Sequence, residues 1–88
     1  MACYINTFEP IGPSAEQILR ERLKTYPMYC PINASSWAIV TDQTAAEVRD
    51  HLRVVSPLSR IFVVRSGTEA AWLNGYGEKH NAWLKKNL

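Results

Sequence analysis

The sequence predicts one small α+β domain in which strands and helices follow the order strand, helix, strand, strand, helix, strand. Three observations predict it. The chain has 88 residues, of which 47% are hydrophobic, enough for one core but not for two. Two segments show the 3.6-residue apolar spacing of amphipathic helices, each closed by a proline. Four short runs are rich in strand-forming residues.

The first half of the pattern is a strand followed by a helix. Residues 3–8 alternate apolar and polar side chains, which predicts strand one, and residues 9–13 end it with two prolines and a glycine. Ser14 has a glutamine three residues later, which predicts a capping box at the start of helix one. Apolar residues then recur at helical spacing, and Pro27 disfavours helical geometry at Tyr26, so the helix is predicted to end there.

The second half begins with a hairpin. Residues 28–32 form a short strand-like run, and Pro31 inside it cannot donate to a ladder, which predicts a sheet edge. Residues 37–41 are apolar on both faces and predict an inner strand. Thr44, with a glutamate three residues later, predicts a second capping box and helix two. Residues 61–65 are rich in β-branched side chains and predict strand four.

Two such halves with right-handed crossovers give a four-stranded antiparallel sheet with both helices on one face, the ferredoxin-like βαββαβ arrangement. We therefore expect a single domain over residues 1–88, with a core of about 1–66 and a C-terminal extension over 67–88. Within the extension, residues 67–73 predict a turn with a short fifth strand or helix, and residues 81–88 predict a terminal helix.

The predicted sheet has one face without helices. The strands carry large apolar side chains on both faces, and a bare face of that kind would be a larger apolar patch than monomers usually expose. Either the extension or a twofold-related second copy must cover it. We expect a homodimer, with Trp72 and Trp83 as candidate interface residues. The alternative is a monomer whose extension closes its own sheet.

Charge and cysteine content limit the classes of function. The net charge of +2 is too small to identify a polyanion partner, and no apolar run approaches the ~20 residues that span a membrane. The first residues do not resemble a signal peptide, so we expect a cytoplasmic protein. Cys3 and Cys30 lie far apart and predict two buried free thiols. His51 and His80 are isolated, so no zinc site is predicted.

Several segments resemble a known family. They are Ser36-Trp37 at the start of an inner strand, residues 41–45 with 47–50 around helix two, and residues 67–72 with 83–88 in the extension. Together they resemble the SinR-like proteins, small bacterial and mobile-element proteins that are similar to the ferredoxin-fold CRISPR adaptation proteins and to VapD-type toxin components. The resemblance implies a ferredoxin-like fold, a homodimer, and a link to nucleic acid or to host defence.

The resemblance also bears on catalysis. In the nuclease-like relatives, an aspartate closes strand one, and two such aspartates across the dimer axis hold a divalent metal. Residues 6–10 of this chain read Asn-Thr-Phe-Glu-Pro and contain no aspartate. Glu9 is the candidate catalytic residue, with Asp42 second, and Mg²⁺ or Mn²⁺ would be needed only if the chain is a nuclease. The departure at strand one argues against that activity, and both carboxylates also fit exposed loop positions.

Other chemistry has weaker support. His51 fits a solvated position on the flank of helix two, and His80 precedes the predicted terminal helix. Neither has a nucleophile beside it in the sequence. The four glycines sit at separate turns and form no phosphate-binding loop, so no cofactor is predicted.

Nucleic-acid binding is the better-supported activity. The arginines of the two predicted helices have acidic neighbours, whereas the last third of the chain is more basic. Tyr76 and the tryptophans there could stack on bases. The candidate nucleic-acid contacts are Arg60, Arg65, Lys79, Lys85 and Lys86.

We therefore predict a small homodimer that associates with nucleic acid without strong catalysis. Whether it is an enzyme stays open; the enzymatic form would be a degenerate metal-dependent endonuclease. The alternative is a non-enzymatic module of a mobile element or phage, of the counter-defence or toxin–antitoxin type. It would hold a protein partner through the exposed edge strand at Pro31 or through the tryptophan-bearing extension.

Overall fold

The computed structural model describes residues 1–67 and 69–88. Along these residues the elements are β1 (Ala2–Glu9), α1 (Ala15–Leu23), β2 (Met28–Asn33), β3 (Ser36–Thr41), α2 (Ala45–Arg53), β4 (Arg60–Arg65) and α3 (Glu78–Asn87). Thr68, part of the predicted 67–73 segment and of one segment of the family resemblance, lies outside the described residues.

The four strands form one antiparallel sheet in the order β2-β3-β1-β4. This order, with the βαββαβ succession, confirms the ferredoxin-like prediction. The strand that is apolar on both faces, β3, lies between β2 and β1, as its pattern predicts. Pro31 is in the edge strand β2, and the pairing with β3 becomes irregular between Pro31 and Asn33. Because Pro31 has no backbone N–H to donate, the pairing is disturbed, but only at the edge of the sheet.

The two faces of the sheet have separate apolar clusters. On one face, α1 and α2 pack against strand residues such as Tyr4, Phe8 and Ile39. On the other face, Leu84 of α3 packs against Cys3, Cys30, Ala38 and Val40. Alternation of side chains along each strand divides the core in this way. The extension thus covers the β2–β3 side of the open face, which is one of the two arrangements that the sequence allows.

The two predicted capping boxes have different outcomes. At α2, the Glu47 amide donates to the Thr44 hydroxyl (3.2 Å) and the Thr44 amide donates to the Glu47 carboxylate (2.9 Å), as predicted. At α1, the prediction is wrong, because Ser14 has φ 60° and its side chain makes no capping bond. A turn in which the Ala15 amide donates to Gly12 (3.2 Å) leads into α1. Ser14 therefore lacks the extended backbone that a capping side chain needs.

Two predicted helix boundaries differ from the structure by three residues each, and one predicted element is not found among the described residues. Helix α1 ends at Leu23 rather than Tyr26, because the chain tightens there into turns in which the Thr25 amide donates to Arg22 and the Tyr26 amide to Leu23. Helix α3 begins at Glu78, three residues before the predicted start. The predicted fifth strand or helix is absent from the described part of residues 67–73.

Among the described residues, none of the helices has the length and apolar character needed to cross a membrane.

Candidate nucleic-acid interface

The basic residues of the chain fall into two groups according to their partners. Five of the ten lysines and arginines lie within 4.0 Å of a carboxylate. These pairs lie on α1, on α2 and at the start of β4: Arg20–Glu16, Lys24–Glu21, Arg49–Asp50, Arg53–Asp50 and Arg60–Glu9. A nearby carboxylate cancels most of the field of each cation, so these surfaces attract a polyanion weakly.

A sixth basic residue, Arg22, is used internally, since its Nε donates to the His51 carbonyl at 3.1 Å. Within the described part of the chain, no carboxylate lies within ion-pair distance of the other four, which are Arg65, Lys79, Lys85 and Lys86. All four are exposed, and all four belong to the predicted nucleic-acid set. Arg60, the fifth member of that set, is instead paired with Glu9.

Three of the four unpaired cations are on α3. The side of α3 that meets the sheet contains Leu84, and its outward side contains Glu78, Lys79, Ala82, Lys85 and Lys86. With 3.6 residues per turn, Lys79, Ala82 and Lys86 lie along one stripe. Glu78 is the one acidic residue of α3, so the outward side of this helix has a net positive charge. We call this side the α3 basic face.

Aromatic side chains fix the extension beside this face. The Trp72 indole nitrogen donates to the Asn81 side-chain oxygen at 3.1 Å, which ties the loop before α3 to the helix. Gly75 permits this approach, because a Cβ there would lie 2.2 Å from the same Asn81 oxygen. Trp83 is partly buried against the cluster under α3. Within one chain, the two predicted interface tryptophans therefore dock the extension; a contact of either with a second subunit stays a prediction.

The predicted catalytic carboxylates are at the surface. Glu9 forms its ion pair with Arg60 at the end of β1, and Asp42 lies 3.6 Å from the N-terminal amine. Among the described residues there is no group of three or more histidine, cysteine, aspartate or glutamate side chains that could hold a metal ion. Within the described part of one chain, neither Glu9 nor Asp42 therefore belongs to a cluster of three such side chains.

His51 occupies a structural position between α2 and α1. Its Nε2 lies 3.1 Å from the Thr25 hydroxyl, and its ring packs edge-on against Tyr26 at 5.1 Å. The Thr25 hydroxyl itself donates to the Arg22 carbonyl at 2.6 Å, so it accepts the hydrogen bond from His51 and is not activated as a nucleophile. Burial, followed by the Arg22 cation, lowers the pKa of His51.

Both cysteines are free and buried, as predicted. Burial raises the pKa of each thiol; a hydrogen bond with Ser66 partly offsets this for Cys3, and the nearby Cys3 adds to it for Cys30. A buried thiol with a raised pKa is a poor nucleophile, so neither is a candidate catalytic group.

Sequence reasoning missed one buried polar residue, Asn6. Its amide nitrogen donates to the Trp37 carbonyl at 3.2 Å, while its side-chain oxygen has no hydrogen-bond partner among the described residues. Strand one reads as apolar–polar alternation, and Asn6 lies between Tyr4 and Phe8 on the helix-covered face. An asparagine at an otherwise apolar position of the pattern was the available signal.

A comparison of the chain with models of known protein families gives no match, and comparisons with curated proteins and with solved structures give none either.

Proposed function

We propose that this protein is a non-enzymatic, homodimeric nucleic-acid-binding protein of the SinR-like type, and that the α3 basic face makes the contact. The observation that supports binding is the distribution of ion pairs. Cations on α1 and α2 are paired with acids, whereas Lys79, Lys85 and Lys86 are exposed on one helix without such partners among the described residues. Unpaired lysines bind phosphates by releasing condensed counterions.

The proposal predicts a local and salt-dependent interaction. Three phosphate contacts give a slope of log affinity against log salt of about −2 on a single strand and about −3 on a duplex. With a total net charge of only +2, the chain depends on where its cations lie more than on their number.

Two triple variants with equal total charge test the position of the interface. Lys79, Lys85 and Lys86 are changed to Gln in one, and the ion-paired Arg20, Lys24 and Arg49 are changed to Gln in the other. We expect the first variant to lose binding and nearly all of the salt slope, and the second to keep both. Fluorescence anisotropy with labelled DNA and RNA at 50 and 200 mM salt measures this. Equal losses in the two variants, or no binding by the original chain, would contradict the proposal.

A metal-dependent nuclease receives less support from the geometry. Such an enzyme would bring two Glu9 side chains together across a dimer axis, but each Glu9 is already paired with Arg60 of its own chain. Both side chains are largely exposed, 63% for Glu9 and 76% for Arg60. We therefore propose binding without catalysis, with no requirement for Mg²⁺ or Mn²⁺.

The proposed dimer uses β4, which is at an edge of the sheet. Helix α3 covers the β2–β3 side of its face, while Phe62 of β4 is 65% exposed and Val64 is 45% exposed. Ile5, paired with Val64, continues this apolar area onto β1. A free edge beside an apolar face is suited to pairing with another strand.

A second copy of β4 fits this edge in a specific register. If two β4 strands pair antiparallel about a twofold axis perpendicular to the sheet, the axis must pass between the two copies of one residue. Only then do paired residues point to the same face of the sheet. Centred on Val63, the pairing sets Phe62 against the partner's Val64, and it sets Arg60 and Arg65 against uncharged residues. In this assembly β1 and its copy are three strand spacings apart, about 14 Å, so the two Glu9 side chains do not converge on one ion.

Light scattering tests the dimer. Phe62→Lys places a charge in the middle of the proposed contact and is expected to give a monomer. Val54→Lys adds the same charge at an exposed apolar position at the end of α2 and is expected to leave the dimer intact. A monomeric original chain, or a dimer that survives Phe62→Lys, would contradict this assembly.

The alternative function, holding a protein partner, uses the same free edge, since an extended segment of another protein can add to it as a strand. It is favoured over the main proposal if the chain is monomeric, binds no nucleic acid and gives a defined complex with one host protein whose formation Phe62→Lys abolishes.

A further inference from the structure

A small cavity lies between the edge strand β2 and the first half of α3. Its volume is about 270 Å³. The residues that line it are Tyr29, Cys30 and Pro31 of β2 and Lys79, His80 and Trp83 of α3. The cavity is smaller than the roughly 300–1,000 Å³ typical for drug-sized ligands, so it suits a single ring system.

Packing holds the walls of this cavity in place. The Tyr29 ring stacks on Trp37 with centroids 5.7 Å apart, on the face of the sheet that α1 and α2 cover, so the aromatic rings on the α3 side of the cavity are those of His80 and Trp83. Trp83 packs against the cluster beneath α3. The His80 ring meets the Tyr76 ring edge-on at 5.8 Å. The aromatic side chains that line the cavity are therefore already held in place, so little conformational entropy is lost when a ligand binds.

The lining combines flat apolar surfaces with one cation. Trp83 and His80 have ring faces on which a planar base can stack, and Lys79 belongs to the α3 basic face. Among the residues that the structure describes, no acidic side chain lines the cavity. A planar base attached to a phosphate matches this combination, since the base would occupy the cavity while its phosphates follow the lysines of α3.

We infer that this cavity holds one unstacked base of a single-stranded nucleic acid. This inference rests on the proposed function and narrows it to single strands. In a duplex every base is paired and stacked, and extruding one costs a few kcal/mol. A single strand presents bases that are free to leave the stack, and stacking on aromatic side chains recognises them with little regard for sequence.

Four nucleic-acid probes test the inference. The probes are a labelled ten-nucleotide oligo-dT, an oligo-U of equal length, a ten-nucleotide strand of abasic sites, and a ten-base-pair duplex. We expect the chain to bind oligo-dT or oligo-U about tenfold more tightly than the abasic strand, and more tightly than the duplex. The ratio between oligo-dT and oligo-U separates DNA from RNA as the source, and either preference supports the inference.

Two matched variants locate the effect. His80→Gln removes an aromatic ring from the α3 wall of the cavity, and we expect it to reduce the preference over the abasic strand to about twofold. His51→Gln removes the same kind of ring from the contact between α2 and α1, away from the cavity, and is expected to keep the full preference. In the original chain, the indole N–H resonance of Trp83 should shift with oligo-dT and not with the abasic strand, a readout that does not depend on how a variant folds.

The outcomes separate the two levels of the proposal. Equal binding of oligo-dT, oligo-U and the abasic strand would overturn the base site and leave phosphate binding at α3 intact. Tighter binding of the duplex would do the same. Absence of binding to every probe would overturn the proposed function together with this inference.

Discussion

Glu9 and Arg60 face each other across the β1–β4 pair, and the Arg60 guanidinium donates a hydrogen bond to the Glu9 carboxylate. The sequence singled out these two residues for separate roles, one as a catalytic carboxylate and the other as a nucleic-acid contact. The fold instead pairs them at the open end of two strands. Their mutual contact explains why neither is in our proposed interface.

This pair should contribute little to stability. Exposed ion pairs are typically worth less than about 1 kcal/mol, because both charges are well solvated when apart. We expect Glu9→Gln to change the free energy of unfolding by less than about 1 kcal/mol and to leave nucleic-acid binding intact. Urea unfolding and anisotropy measure the two effects, with Arg60→Gln as the matched partner. A Mg²⁺-dependent cleavage that Glu9→Gln abolished would contradict our assignment and restore the catalytic role.

The βαββαβ order could be read from the sequence because it depends on periodicity and on turn residues. Strand β3 is apolar on both faces and therefore lies inside the sheet, and Pro31 places β2 at an edge. Each of these two features depends only on residues that are close together in the sequence. The coverage of the second sheet face depends on contacts between α3 and β2, which are distant in sequence, so the sequence left two arrangements open.

The candidate interface was predictable in composition and not in geometry. Four of its five predicted cations are unpaired in the described structure, but the register that sets Arg60 opposite Glu9 is a property of the folded sheet. The cavity lining is likewise assembled from two elements that are distant in sequence, so His80 and Trp83 did not by themselves indicate a binding site. Ser14 shows a different limit of sequence-based prediction. The capping-box pattern is present there, but the turn before α1 sets a backbone conformation in which the cap does not form.

The left-handed conformation of Ser14 makes a prediction about stability. At φ 60° a residue with a Cβ is strained, and glycine relieves the strain. Since the Ser14 side chain makes no capping bond, nothing else is lost, and we expect Ser14→Gly to raise the free energy of unfolding by about 0.5–1 kcal/mol. Asn74, at φ 56°, is the control, because asparagine tolerates this region and Asn74→Gly should gain less. Urea unfolding midpoints compare the two, and a loss of stability in Ser14→Gly would contradict the argument.

His51 makes a prediction about acid stability. Its pKa is below the ordinary value of 6.5, mainly because of burial and secondarily because of Arg22. As the pH falls below about 6.5, the unfolded chain therefore binds a proton that the folded chain still excludes, so the free energy of unfolding decreases. We expect the urea midpoint to fall between pH 7 and pH 5, and His51→Gln to flatten this decrease. The control Leu58→Gln, at an exposed position beyond α2, should keep the original pH dependence, and a profile unaffected by His51→Gln would show that other groups cause it.

The docking of α3 can be tested through the thiols beneath it. Leu84 is only 2% exposed and packs in one cluster with Cys3 and Cys30, and the Cys30 thiol lies 4.0 Å from the His80 carbonyl of α3. We expect Leu84→Ala to cost about 2–4 kcal/mol, because it leaves a cavity where helix and sheet meet.

The same substitution should expose the thiols. In the native chain both should react slowly with Ellman's reagent, since burial raises their pKa and blocks access. In Leu84→Ala we expect Cys30 to react at least tenfold faster, with a Cys30→Ser background to assign the signal. Leu73→Ala, at a position that is 85% exposed, should change neither stability nor labelling. If Leu84→Ala labels as slowly as the original chain, the thiols are protected by the strands alone. The docking of α3 on the sheet would then be contradicted, and with it the second wall of the cavity between β2 and α3.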